Sequence, residues 1–215
     1  KFFRSHYQYN NNIEEYILHN IYLRAMVSSS LVPHTHYGPV TALKFIPNTE
    51  FLIAGYGPFI KIFNYKTGDS IPLSKTHEDV KIFEKNKIHG IVILKPHSSS
   101  EPTNVNVLFY GGRSVSVLNF QTDILHGSSN NRLSVHETAC NDWVISGDFH
   151  YADPKSIYLL TAHNIVIDAL IVGDNLGGLQ VNGSYNCNEK SILYSGSFTV
   201  LNDEVYVFSG TVMSG

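Results

Sequence analysis

Charge is scarce in this sequence: acidic and basic residues make up 15% of its 215 residues, and the net charge is −3. A stand-alone nucleic-acid binder needs a strongly basic surface, so that class is disfavoured. A local basic patch, or a role beside a subunit that grips nucleic acid, remains compatible. Cysteine is scarcer still. Cys140 and Cys187 are the two present; neither sits in a C-x-x-C pair, so they offer no zinc-ligand spacing and no disulfide framework. A reducing, cytoplasmic setting is expected. No apolar run approaches the roughly 20 residues that cross a bilayer, and Lys1 to Tyr9 contain no apolar stretch followed by a small-residue cleavage site. No Gly-x-Ser-x-Gly elbow or Ser-His-Asp order is visible.

Apolar residues are plentiful at 43%, with 13 Tyr and 12 Phe. The apolar runs are rich in Val and Ile, which suits half-buried strands. The runs also recur. Four segments open a unit: VTALKFI (Val40–Ile46), IHGIVIL (Ile88–Leu94), WVISGDF (Trp143–Phe149) and SILYSGSF (Ser191–Phe198). Each precedes a second strand: FLIAGY (Phe51–Tyr56), VNVLFYGG (Val105–Gly112), SIYLLTA (Ser156–Ala162) and EVYVFSG (Glu204–Gly210). These start at 51, 105, 156 and 204, in steps of 54, 51 and 48 residues.

Third strands follow in three units: FIKIFNY (Phe59–Tyr65), SVSVLNF (Ser114–Phe120) and NIVIDAL (Asn164–Leu170). The links between second and third strands are Gly57-Pro58, Gly112-Arg113 and His163. Links this short join antiparallel neighbours, with Gly where positive φ is needed. Fainter fourth strands are expected around Ile71–Ser74, Arg132–Val135 and Leu179–Tyr185. Four short strands per unit of about 40–55 residues is the arithmetic of a β-propeller blade. A β-sandwich is the competitor, but it lacks this grouping of three strong strands and one weak. No apolar stripe of helical period runs through the segments.

The expected organisation is therefore all-β: a WD-repeat β-propeller, with three blades and the start of a fourth. Residues 36–86 form blade 1, 87–139 blade 2, 140–188 blade 3, and 189–215 the first half of blade 4. A propeller does not close on this count, so the chain is expected to be the N-terminal part of a longer protein. Residues 1–35 are expected to be irregular. They read either as an extension with a short helix around Ile13–Leu23 or as upstream sequence translated in frame before Met26, the latter preferred.

The first unit, HYGPVTALKFIPNTEFLIAGYGPFIKIFNYKTGDSI (His36–Ile71), has the V-x-x-L-x-F-x-P opening strand of a WD repeat, followed by L-x-A-G-x-G-P-x-I-x-I-F. Together with KIHGIVIL, VLFYGGRSVSVLNF, DWVISGDF, LLTAHNIVIDAL and LYSGSF in order, it resembles the WD-repeat protein 6 family from about Pro39 to Gly215. Phe63-Asn64 and Leu118-Asn119 stand where the Trp-Asp dipeptide of a standard repeat would be. The resemblance implies a non-catalytic subunit, without a cofactor of its own, that partners a tRNA 2′-O-ribose methyltransferase. That partner supplies the S-adenosylmethionine site, and the propeller positions tRNA for methylation of the wobble nucleotide. Positioning two reactants needs rigid surface rather than reactive side chains. The alternative is a generic propeller adaptor in trafficking or signalling. An enzymatic propeller, such as a glycosidase or lactonase, needs a carboxylate or metal cluster that the sequence does not assemble.

Candidate phosphate contacts are Lys44, Lys61, Arg113 and Arg132, provided that they share a face. His34 and His36 form an H-x-H pair, with His6 and His19 upstream, but no third metal ligand is identifiable. His163 is expected to bond neighbouring backbone at its turn. GDNLGGL (Gly173–Leu179) lacks the Lys-Ser/Thr ending of a phosphate loop and reads as the connection into a fourth strand. Asn182-Gly183 reads as a turn. Asp142, Asp148 and Asp153 read as ordinary surface carboxylates, and Trp143 as packing between blades.

Overall fold

The computed structural model describes residues 39–73, 79–95, 103–126, 133, 135–172, 178–186, 191–202 and 204–211. The stretch at 1–35 expected to be irregular, His34 and His36, and Arg132 lie outside the described residues. So do the start of the glycine-rich connection at 173–177 and Cys187.

The described chain is a series of antiparallel meanders. In the first sheet, β1 (Val40–Phe45), β2 (Phe51–Tyr56), β3 (Phe59–Asn64) and β4 (Ser70–Ile71) pair in order, and β5 (Val80–Lys81) also pairs with β3. The second sheet runs β6 (Gly90–Ile93), β7 (Asn104–Gly111), β8 (Ser114–Gln121) and β9 (Glu137–Ala139). The third runs β10 (Val144–Phe149), β11 (Ser156–Thr161), β12 (Ile165–Val172) and β13 (Gly178–Asn186). A fourth contains β14 (Leu193–Leu201) and β15 (Glu204–Thr211).

Period-two alternation sends successive side chains of a strand to opposite faces. In β7, Val107 and Phe109 enter the core shared with the first sheet, among Ile53, Ile60, Ile62 and Ile91. Leu108, between them, enters the core shared with the third sheet, beside Val144, Ile157 and Leu159. Both faces of β7 are therefore covered, which a two-layered sandwich cannot do for a sheet with one solvated side. The third core repeats the arrangement: Leu160 and Val166 of the third sheet meet Leu193, Phe198 and Val207 of the fourth. Each such side chain contributes roughly 1.5–3 kcal/mol on full burial.

The sheets are also joined by backbone. The Ile88 N–H donates to the Gly57 carbonyl, Val144 to Gly112 and Leu193 to Ala162, each at 2.8 Å. The second-to-third-strand turn of one sheet thus accepts the opening residue of the next, three times over. First strands lie side by side, β1 against β6, β6 against β10 and β10 against β14. Successive sheets stacked this way, with their first strands innermost, are blades of a β-propeller.

Two small expectations are corrected. The weak fourth strand of the second sheet lies at Glu137–Ala139 rather than around Arg132–Val135. It pairs with β8 from Ser114 opposite Ala139 to Ser116 opposite Glu137, and the Glu137 carboxylate also takes the Ser114 hydroxyl and the Glu84 N–H. Asn182-Gly183 is no turn: Asp168 opposes Gly183 and Ala169 opposes Val181, so Asn182 is the extra residue of a bulge inside β13.

Candidate functional site

Each blade has a turn end and an opposite end. The β2–β3, β7–β8 and β11–β12 turns share the turn end with the segments that enter β6, β10 and β14. The left-handed position is filled by Gly57 (φ 54°), Gly112 (φ 56°) and Asn164 (φ 63°). Asparagine tolerates this backbone better than most residues, and the Asn164 amide gains a bond to the Ser191 carbonyl at 2.6 Å. That bond adds a side-chain clasp between blades 3 and 4.

A continuous chain of contacts crosses the turn end of blades 2 and 3. Asn86 donates to the Ser114 hydroxyl at 2.7 Å, and a Cβ at Gly111 would overlap the Lys87 carbonyl. Glycine here lets the 86–87 backbone lie directly on the β7–β8 turn. The Arg113 carbonyl then accepts the Cys140 N–H at 2.7 Å, and the Trp143 carbonyl accepts the Ala162 N–H at 2.8 Å. Between these lies Asp142. Its Oδ1 takes the Trp143 N–H at 2.7 Å and the His163 Nδ1 at 2.8 Å, and its Oδ2 takes the His163 N–H at 3.0 Å. Burial alone would raise this carboxyl. The bonds from the His163 ring, Thr161, and the His163 and Trp143 N–H groups outweigh it and hold the group at about 2.

His163 is therefore bound to a carboxylate rather than to neighbouring backbone, and its side chain is 67% exposed. Trp143 does not pack between blades as the sequence suggested. It is 56% exposed, while the next residue, Val144, is buried in the core between blades 2 and 3, so the alternation of side chains leaves the indole on the rim.

Of the four candidate cations, Arg113 lies exposed in the β7–β8 turn. Lys44 lies exposed on β1, one residue from its far end, where Phe45 pairs with Leu52. Lys61 is half-buried on β3 and 3.4 Å from Asp79. The fold thus places Lys44 and Arg113 toward opposite ends of the blades. Arg113 instead gains Lys87 as its neighbour, a residue that sequence spacing gave no reason to choose.

The three carboxylates that sequence grouped are separated. Asp142 caps the turn end. Asp148 lies on β10, where burial raises its carboxyl while the Phe149 N–H, Lys95 and Lys44 pull it back. Asp153 orders the opposite end by accepting Ser156 Oγ at 2.7 Å and the Lys155 N–H at 3.0 Å. An open cleft of about 380 Å³ at that end is lined by Asn48, Thr49, Glu50, Phe51, Lys66 and His126. Its carboxylate, Glu50, is held by Asn64 at 2.8 Å and Lys66 at 3.6 Å. Among the described residues there is no group of three or more His, Cys, Asp or Glu placed to hold a metal ion, and no helix is long and apolar enough to cross a membrane.

No family model matches the chain, and no curated protein matches it in sequence. Among solved structures, Saccharomyces cerevisiae Sqt1 aligns with a TM-score of 0.54 at 12% identity, over 76% of this chain and 39% of that one. The β-propeller domain of Myceliophteria thermophila Cps50 (Swd1) aligns with a TM-score of 0.45 at 14% identity, over 67% of this chain and 37% of that one. The chain thus spans about two fifths of the length of each. The likeness to Sqt1 supports the propeller fold.

Proposed function

We propose that this chain is a non-catalytic WD-repeat scaffold that works in the cytoplasm, partners a tRNA 2′-O-ribose methyltransferase and positions tRNA for methylation at the wobble nucleotide. The observation that carries the scaffold reading is the turn end itself. Its backbone is held by bonds that also join the blades, so the main-chain frame of the surface is set before any partner arrives. Preorganised surface lowers the ordering cost of association. Chemistry is left to the partner: the carboxylates at Asp142, Asp148, Asp153 and Glu50 are each consumed in structural bonds or set apart on different parts of the fold.

The methyltransferase and tRNA part of the reading is supported by the ordered series of blade motifs that resembles the WD-repeat protein 6 family. The test is genetic and biochemical together. Tagged protein should co-purify with a ribose methyltransferase, and cells lacking the protein should lose 2′-O-methylation at the wobble position of a subset of tRNAs. Unchanged methylation would overturn the reading; unrelated protein partners captured in its place would make the chain a general adaptor.

A further inference from the structure

We infer that the rim formed by Lys87, Arg113, Trp143 and His163 at the turn end of blades 2 and 3 is a contact surface for RNA, taking an unstacked base on Trp143 and adjacent phosphates on Lys87 and Arg113. This deepens the proposed function by naming the tRNA-contacting surface, and it rests on that reading for the identity of the RNA.

The four residues come from separate segments, and the fold makes them neighbours. Lys87 lies on the Gly111–Gly112 turn that carries Arg113. The Arg113 carbonyl binds the Cys140 N–H, and the Gly112 carbonyl binds the Val144 N–H, on either side of Trp143. Trp143 in turn binds the Ala162 N–H beside His163. Lys87 and Arg113 are exposed, and among the described residues neither is in an ion pair.

The nearby carboxylates are engaged. Asp142 lies under His163, Glu137 takes Ser114 and the Glu84 N–H, and Glu84 is paired with Lys81 at 2.5 Å. These bonds leave Asp142 and Glu137 their charge but hold both carboxylates on the protein's own groups, so Lys87 and Arg113 are the charged side chains left to turn toward a ligand. A cation pair beside an exposed indole matches the two needs of single-stranded RNA: a phosphate contact and a stacking platform. Asp142 occupies Nδ1 of His163, so the outer ring edge with Nε2 is presented to solvent. A protein docked here would also use Trp and Arg as anchors. Charged residues are depleted at the core of such interfaces, whereas the segments joined to that of Trp143 carry exposed Lys87, Arg113 and His163.

The test is direct binding of an unmodified tRNA anticodon stem-loop to the purified protein, followed by fluorescence anisotropy over a salt series. Trp143→Ala should weaken binding by about tenfold or more, the loss expected for one stacked base, and Trp143→Phe should recover much of it. The double change Lys87→Ala with Arg113→Ala should weaken binding similarly and flatten the salt dependence, by about 0.7 in log–log slope for each phosphate no longer neutralised. Lys155→Ala, at the opposite end of the blades, should bind as the unchanged protein does, and thermal melting of all variants should confirm that they are folded. Binding and salt slope unaffected by the rim changes would overturn the inference. So would rim variants that bind RNA normally but lose the co-purifying methyltransferase, which would make the rim a protein-docking surface. If the rim variants lose RNA while no methyltransferase ever co-purifies, the surface stands and the proposed partnership fails.

Discussion

Asp142 gathers hydrogen bonds from one ring, one hydroxyl and the backbone of two chain segments, and its acidity reports them. Its carboxyl lies at about 2 against an ordinary 3.8. A folded-state value below the unfolded one stabilises the fold at pH above the unfolded value, and that contribution fades as pH falls toward the folded value. For Asp142 the window runs from about 3.8 down to about 2. Replacing His163 with Ala should move the Asp142 midpoint up toward 3.8, read by carboxyl-carbon NMR titration; a midpoint still near 2 would show that the ring bond does not set the acidity. Asp142→Ala should lower stability at neutral pH by about 1 kcal/mol, the usual net worth of such bonds, with little loss left near the acid end of the window. Sequence could not foresee this pairing. Asp142 and His163 meet because the Trp143 carbonyl binds the Ala162 N–H, a contact set by blade geometry rather than by any local pattern.

At the level of strands and loops, the strong elements were legible because period-two runs of Val, Ile and Phe ended in tight turns; β2, β3, β11 and β15 lie at or within a residue of their expected bounds. The weak ones were not. Strand β9 is three residues long, paired with β8 at three positions, and β5 has only two residues against β3. Glycine on β14 has a packing role: a Cβ at Gly196 would overlap Leu160 Cδ2 of the neighbouring blade. Gly196→Val should therefore cost about 1–3 kcal/mol through overpacking. Gly183→Ala, whose Cβ meets nothing nearer than 3.7 Å, should be neutral or slightly stabilising. Equal losses in chemical denaturation would contradict that difference. At the opposite end, His150 Nδ1 accepts the Ala152 and Asp153 N–H groups, both at 3.1 Å. His150→Asn keeps an acceptor within reach and should melt close to the parent. His150→Phe keeps the ring near Tyr158 but loses both bonds, and should melt several degrees lower; identical melting would show that the bonds contribute nothing.

Across the molecule, stability is shared between neighbouring blades, as in other stacked repeats. Leu108 of blade 2 is buried in the core of blade 3, so Leu108→Ala should cost about 2–5 kcal/mol and loosen both blades together. The propeller was readable from recurrence alone; how the blades join was not, since a backbone carbonyl at each turn carries no sequence signature. That junction is also the most direct thing to measure. Amide hydrogen exchange should find the N–H groups of Ile88, Val144 and Leu193 protected to the same degree as mid-strand amides of β7 and β11, because each donates to the turn of the preceding blade. Exchange of these three at the rate of open loop amides would contradict blades joined turn to strand about a common axis.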